Sequence, residues 1–122
     1  MKTPGPDHPI TITENAKRVV IRAAGQVIAD TRQALTLAEA AYPPVQYIPR
    51  SDIDMSLLER STHATTCPFK GQAAYFSIRV DGAAPIENAA WSYETPHPAV
   101  ASIAGHLAFY PPIVDSIEEL DD

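Results

Sequence analysis

Between Gln72 and Val80 the chain alternates strictly between two kinds of position. Ala74, Phe76, Ile78 and Val80 fall on one face of an extended backbone, and Tyr75, Ser77 and Arg79 fall on the other. A period of two predicts a strand over residues 72–80. Asp81-Gly82 follows, and both residues tolerate positive φ, so residues 83–91 are expected to return antiparallel to the first strand. Arg18 to Ala23 (R-V-V-I-R-A) is rich in β-branched residues. Ala24-Gly25 reads as a tight turn, and Gln26 to Ala29 as the returning strand.

The remaining segments are shorter. Gln33 to Leu37 places Leu35 and Leu37 on one face; a helix through Ala40 competes, but Tyr42-Pro43-Pro44 immediately after favours a strand. Val45 to Ile48 reads as a short strand ended by Pro49. Ser51-Asp52 can cap one helical turn before Leu57 and Leu58. Pro98 suits the first position of a short helix over residues 99–104, closed by Gly105. His106 to Tyr110 is then a last strand, stopped by Pro111-Pro112. Residues 1–17 read as an extended N-terminal arm anchored by Ile10 and Ile12, residues 18–115 as a single β domain, and residues 116–122 as an acidic C-terminal tail. No internal repeat is present.

Composition agrees with a mostly β chain. At 122 residues it suits one domain, which buries roughly two-thirds of the surface its unfolded chain exposes. Twelve prolines are about double the ordinary ~5% frequency, and they exclude long helices wherever they recur. The net charge of −6 is uneven: Asp115, Glu118, Glu119, Asp121 and Asp122 carry five of the fifteen acidic residues, leaving a near-neutral body. With no Lys/Arg stripe, nucleic acid is not an expected partner. The acidic end reads as a solvated, frayed tail. No apolar run approaches the ~20 residues that cross a bilayer, so no membrane partner is expected. Met1 to Pro9 lacks an apolar signal core, so the expected location is cytoplasmic.

Candidate chemistry gathers in two places. In Thr62-His63-Ala64-Thr65-Thr66-Cys67-Pro68-Phe69-Lys70-Gly71, Lys70 and His63 stand close enough in sequence to favour a Cys67 thiolate if the chain turns at Pro68. A half-buried structural cysteine before a turn explains Cys67 equally simply, and better on the frequency with which cysteine is buried. Cys67 is the only cysteine, so a disulfide or four-cysteine zinc site cannot form. Nothing in the spacing of His63, His97, His106, Asp52 and Glu94 requires a metal, and no cofactor is implied. The second group is Ala90-Trp91-Ser92-Tyr93-Glu94-Thr95-Pro96. Here Trp91 and Tyr93 share a strand face that Tyr75 can join, lining a pocket for a planar or cationic ligand or packing as core. Arg50 and Asp52, beside Pro49, can pair with each other or take an anion. Glycine-rich phosphate loops and the nucleophile-elbow and zinc-protease motifs are absent.

Tyr47-Ile48-Pro49-Arg50-Ser51-Asp52-Ile53, Thr65-Thr66-Cys67-Pro68-Phe69-Lys70-Gly71, Ala90-Trp91-Ser92-Tyr93 and His106-Leu107-Ala108-Phe109-Tyr110 together resemble the bacterial family catalogued as domain of unknown function 427. The resemblance runs from about His8-Pro9 to Asp115. It implies a small antiparallel β-tent domain with one or two short helices. Related β-tents usually carry a zinc on four cysteines, which this chain lacks, so packing must replace the metal. The nucleotidyltransferase name sometimes attached to the family does not carry over, because the paired acidic pattern of that chemistry is missing.

Three functions follow as expectations. First is an unidentified small molecule bound in a cleft between sheets, lined by Tyr75, Trp91 and Tyr93, with Arg50, Asp52, His63, Thr65 and Lys70 contributing polar contacts. Second is a small-molecule enzyme using Cys67, Lys70 and His63. Third is a protein-interaction module using the acidic tail or an open sheet edge, where a homodimer is one option.

Overall fold

The computed structural model describes residues 2–111 and 113–121. The expected stop at Pro112 and the terminal acid Asp122 lie outside the described residues. Ten strands run in chain order: β1 (Ile10–Glu14), β2 (Arg18–Ala23), β3 (Gln26–Thr31), β4 (Leu35–Glu39), β5 (Val45–Tyr47), β6 (Leu58–Cys67), β7 (Gly71–Ile78), β8 (Ile86–Ser92), β9 (Leu107–Phe109) and β10 (Ser116–Leu120). They form three antiparallel sheets, ordered β1-β4-β5, β10-β2-β3 and β6-β7-β8-β9. The chain is mostly β, as expected, and its helical segments are short 3₁₀ turns at Arg50–Asp52, Met55–Leu57 and Pro98–Ile103.

Local chemistry accounts for most of these elements. Strand β2 spans the expected residues, and the turn to β3 places Ala24 at φ 51° and Gly25 at φ 75°, the pair of left-handed residues that suits the twist of a two-residue hairpin. Pro98 opens its 3₁₀ turn after His97, whose Nδ1 accepts the Ala99 N–H at 3.0 Å. The cap of the Met55–Leu57 turn is Asp54, which accepts from the Ser56 N–H, rather than Ser51 or Asp52. Residues 72–91 form the expected antiparallel pair, with Tyr75 opposite Trp91 and Phe76 opposite Ala90. The Val80 carbonyl accepts from the Ala83 N–H across Asp81-Gly82, as expected for a turn there. The paired strands end at Ile78 and Ile86, short of that turn, and a bulge interrupts their register between Phe76 and Ile78. Asn88 takes φ 51°, its N–H donates to the Ser77 hydroxyl, and that hydroxyl donates to Glu87.

Two expectations are corrected. Part of the N-terminal arm is strand β1, paired with β4 from Ile10–Glu39 to Glu14–Leu35. The acidic tail is not a frayed end: residues 116–120 are strand β10, paired along β2, with Ile117 packed on the core and Glu118 held by Arg22 at 3.1 Å. A strand face needs only alternate apolar positions, and Ile117 with Leu120 was too sparse a signal beside four acidic groups. Strand β6 was also missed, because its side chains are largely exposed and carry no apolar alternation.

The sheet β6-β7-β8-β9 is apolar on both faces. Leu107 and Phe109 of β9 join Phe76 and Ile78 of β7 in a core shared with Val19, Ile21 and Ile28 of the β10-β2-β3 sheet. Ala108, between them, turns the other way, with Ala73 and Tyr75, into a second core shared with Leu37 and Tyr47 of the β1-β4-β5 sheet. Reciprocal hydrogen bonds between Ile48 and Leu107, at 2.8 and 2.9 Å, tie β5 to β9 and fix the angle at which these two sheets part. The space they leave on the far side of that bridge is the cleft described next.

Candidate functional site

Between β4-β5 and β7-β8 lies a cleft of about 190 Å³. Its walls hold Tyr42, Tyr47, Tyr75, Tyr93 and Tyr110, which are all five tyrosines of the chain, and Trp91, its one tryptophan. Lys70 and Glu39 supply its charges, and Leu37, Pro43 and Val45 complete it. The strand alternation explains the convergence. Tyr75 and Trp91 are cross-strand partners on one face of their sheet, and Tyr47 points back from β5 across the gap. The Trp91 ring meets Tyr47 edge-on at 6.4 Å and tilts against Tyr110 at 4.4 Å.

The charged end is built by the turn before β7. Gly71 sits at φ 113°, a conformation L side chains rarely adopt, and the Lys70 carbonyl accepts from the His97 N–H at 2.9 Å. Lys70 is thereby held inward and buried, its ammonium paired with Glu39 Oε1 and 5.8 Å above the Tyr93 ring. The other Glu39 oxygen meets His8 Nε2 at 2.7 Å, and the His8 ring stacks on Phe69 at 3.8 Å. Burial pushes the Glu39 carboxyl up, but the hydrogen bonds from Lys70 and His8 and their charges outweigh it and leave the group below its ordinary value. Burial raises the phenols of Tyr47 and Tyr93 well above their ordinary value, and that of Tyr110 to about 12. At neutral pH the cleft therefore presents neutral phenol donors around one internal ion pair.

The hydroxyls are unequally satisfied. Tyr75 shares its hydroxyl with Thr65 at 2.9 Å and Tyr110 at 3.5 Å. Trp91 Nε1 donates to the Tyr47 oxygen at 3.2 Å, which leaves the Tyr47 proton to be given elsewhere. Among the described residues the hydroxyls of Tyr42, Tyr47 and Tyr93 donate to no protein acceptor, and since no buried polar side-chain atom is left without a partner, the Tyr93 hydroxyl opens onto the cleft.

Of the residues expected to bind a ligand, Lys70, Tyr75, Trp91 and Tyr93 converge in this cleft. Thr65 reaches it through the Tyr75 hydroxyl. His63 lies behind the wall, its ring edge-on to Tyr75 at 4.5 Å; a bulge in β6 between Arg60 and Ala64 aims it there. His63 also lines a second, polar groove of about 230 Å³ with Arg60 and Glu94. Arg50 and Asp52 lie elsewhere. Arg50 donates to Glu94 and to the Gly105 carbonyl, each at 2.7 Å, and lies over the Phe76 ring. Asp52 accepts from the Thr31 hydroxyl at 2.6 Å. Cys67 is half-buried and packs against the second core, but is not among the cleft-lining residues. Among the described residues no three of His, Cys, Asp and Glu stand together as metal ligands, and no helix is long and apolar enough to cross a membrane.

Tyr47, Tyr110, Glu39 and His8 were missed. Tyr47 and Tyr110 sit inside segments that mark the family, yet each reads locally as an ordinary strand residue. The Glu39–Lys70 pair spans 31 positions with no local spacing to reveal it.

Fold and cleft together define a small antiparallel β domain with an aromatic pocket between two of its sheets. The chain belongs to the family described as Domain of unknown function (DUF427), whose model matches residues 11–120. No curated protein matches the chain.

Proposed function

We propose that this chain binds a small planar organic molecule in the aromatic cleft between β4-β5 and β7-β8. The observation that carries the reading is the gathering of every tyrosine and the sole tryptophan around one opening that also holds a buried lysine. Aromatic packing alone rarely needs so many polar-tipped rings in one place, whereas a ligand site uses both the ring faces and the hydroxyls. The volume suits a ligand of one ring with a substituent, since an apolar cavity of roughly 150 Å³ takes benzene. The family's bacterial distribution and a cytoplasmic setting belong to the same proposal, as does a resemblance to β-tent domains that hold ligands between sheets.

Trp91 makes the test direct. Titration with single-ring and fused-ring planar compounds should quench or shift the fluorescence of this only indole and raise the melting temperature in parallel, because a ligand that binds only the folded state stabilises it. A ligand found by melting that leaves Trp91 unchanged would place binding elsewhere and refute the proposal.

A further inference from the structure

The cleft has more donors than acceptors, and this surplus points to its ligand. Tyr47 and Tyr93 are 1% and 6% exposed, and among the described residues no protein group accepts the phenol proton of either. Tyr42, at the rim, holds a third. Lys70 brings an ammonium with three protons, of which Glu39 takes one. Among the described residues Glu39 is the one carboxylate lining the cleft, and both its oxygens are engaged, by Lys70 and His8. A cationic ligand finds the aromatic box already facing a cation, since Lys70 lies 5.8 Å over the Tyr93 ring. An acceptor-rich ligand instead finds three phenols and an ammonium.

We infer that the ligand is a planar aromatic carboxylate of about one ring, whose carboxylate takes Lys70 from Glu39 and draws a proton onto the His8–Glu39 pair. The inference rests on the cleft reading above and adds the ligand's charge and a linked proton. Without that proton, two carboxylates would share one ammonium in a partly buried site, and one would be uncompensated. His8 Nε2, 2.7 Å from Glu39, places an imidazole where an added proton can be shared with that carboxylate. The charged and titratable groups around the pair are Lys70 of the turn before β7, Lys2 over the Phe69 ring, Tyr47 of β5, and Cys67 and Tyr93 beyond them. None of the others is suited to take up that proton: both lysines are already cationic, and a neutral phenol or thiol is a poor base.

Benzoate, benzamide and benzylamine, matched in ring and differing in charge, test the inference on the whole chain. Binding is followed by the Trp91 indole N–H resonance and by calorimetry in two buffers of different ionisation enthalpy. Benzoate is expected to bind roughly tenfold more tightly than benzamide, the margin of a charge-assisted over a neutral hydrogen bond. Its binding should be accompanied by net proton uptake, smaller in His8→Gln. Lys70→Met should abolish the preference for benzoate over benzamide; the proton measurement on the unaltered chain does not depend on that variant folding. Equal binding of benzamide, or a preference for benzylamine, overturns the carboxylate while leaving the cleft reading standing. Benzoate binding with no proton uptake overturns the link to His8. Failure of all three to move Trp91 overturns the cleft reading and this inference with it.

Discussion

Trp91 of β8 donates its indole N–H to the Tyr47 hydroxyl of β5, 3.2 Å away, so a single hydrogen bond spans the cleft between two sheets. The rings meet edge-on at 88°, an arrangement that aligns the positive ring edge with a negative face. Tyr47 is almost fully buried and Trp91 half-buried, so removing the Tyr47 oxygen takes the indole's protein acceptor away at the cleft wall. Tyr47→Phe is expected to cost about 1–2 kcal/mol, and a double-mutant cycle with Trp91→Phe should give a coupling of about 0.5–1.5 kcal/mol. Urea unfolding of the four proteins measures it. Additive single-mutant effects would show that the bond contributes nothing to holding the sheets together.

A gain in stability is expected at the β2–β3 turn. Ala24 holds φ 51° and has no side-chain group to compensate for the left-handed backbone. Asparagine tolerates that region and, before Gly25, completes the favoured pair for this hairpin. Ala24→Asn should raise stability by about 0.5–1 kcal/mol and leave the cleft, formed by other strands, unaffected. Thermal melting checks it, and a lower melting temperature would contradict it.

Strand β10 makes a sharper prediction. Ending the chain before Ser116 removes the ladder to β2, the Ile117 contact with the core and the Arg22–Glu118 pair. The loss should lower the melting temperature by at least about 10 °C or prevent folding. Among the described residues, ending it before Asp121 removes only an exposed contact to Lys17, and it should change little. Equal stability of the two truncations would return residues 116–120 to the status of a tail.

How much was legible depends on whether the information was local. The β2–β3 hairpin and the β7–β8 pair were readable because alternation and turn residues sit within about twenty positions. Tyr75, Trp91, Tyr93 and Lys70 were nominated from two short segments, and the fold brings them together. Arg50 drew attention through its family motif, but its guanidinium braces Glu94 and the Gly105 carbonyl instead. Glu39 and His8 could not be read, since each acquires meaning only when β1 pairs with β4 and carries the N-terminal segment to the Phe69-Lys70 turn. Strand β10 was hidden by its charge, because Glu118 and Glu119 read as solvated groups until Arg22 and Asn15 are known to face them.

The Glu39 carboxyl also gives the stability a definite response to acid. Its folded-state pKa lies below the ordinary 4.5 because Lys70 and His8 bind the ionised form more strongly than burial opposes it. Between the folded and unfolded values the unfolded chain binds more protons, so stability must rise with pH there. The contribution is fully present above about pH 4.5 and is lost as pH falls through the folded value. Glu94, lowered by its hydrogen bond from Arg60 and a second from Arg50, acts in the same direction and the same range. Glu39→Gln should therefore lower stability at neutral pH and flatten the dependence below about pH 4.5, leaving only the share of Glu94 and other carboxylates. Because this substitution strands the buried Lys70 ammonium, the neutral-pH cost should be about 2–4 kcal/mol, and Lys70→Met added to it should restore part of the loss. Urea midpoints from about pH 3 to 7 for the three proteins decide it. A Glu39→Gln curve parallel to that of the unaltered chain would mean that the pair with Lys70 carries no linked proton.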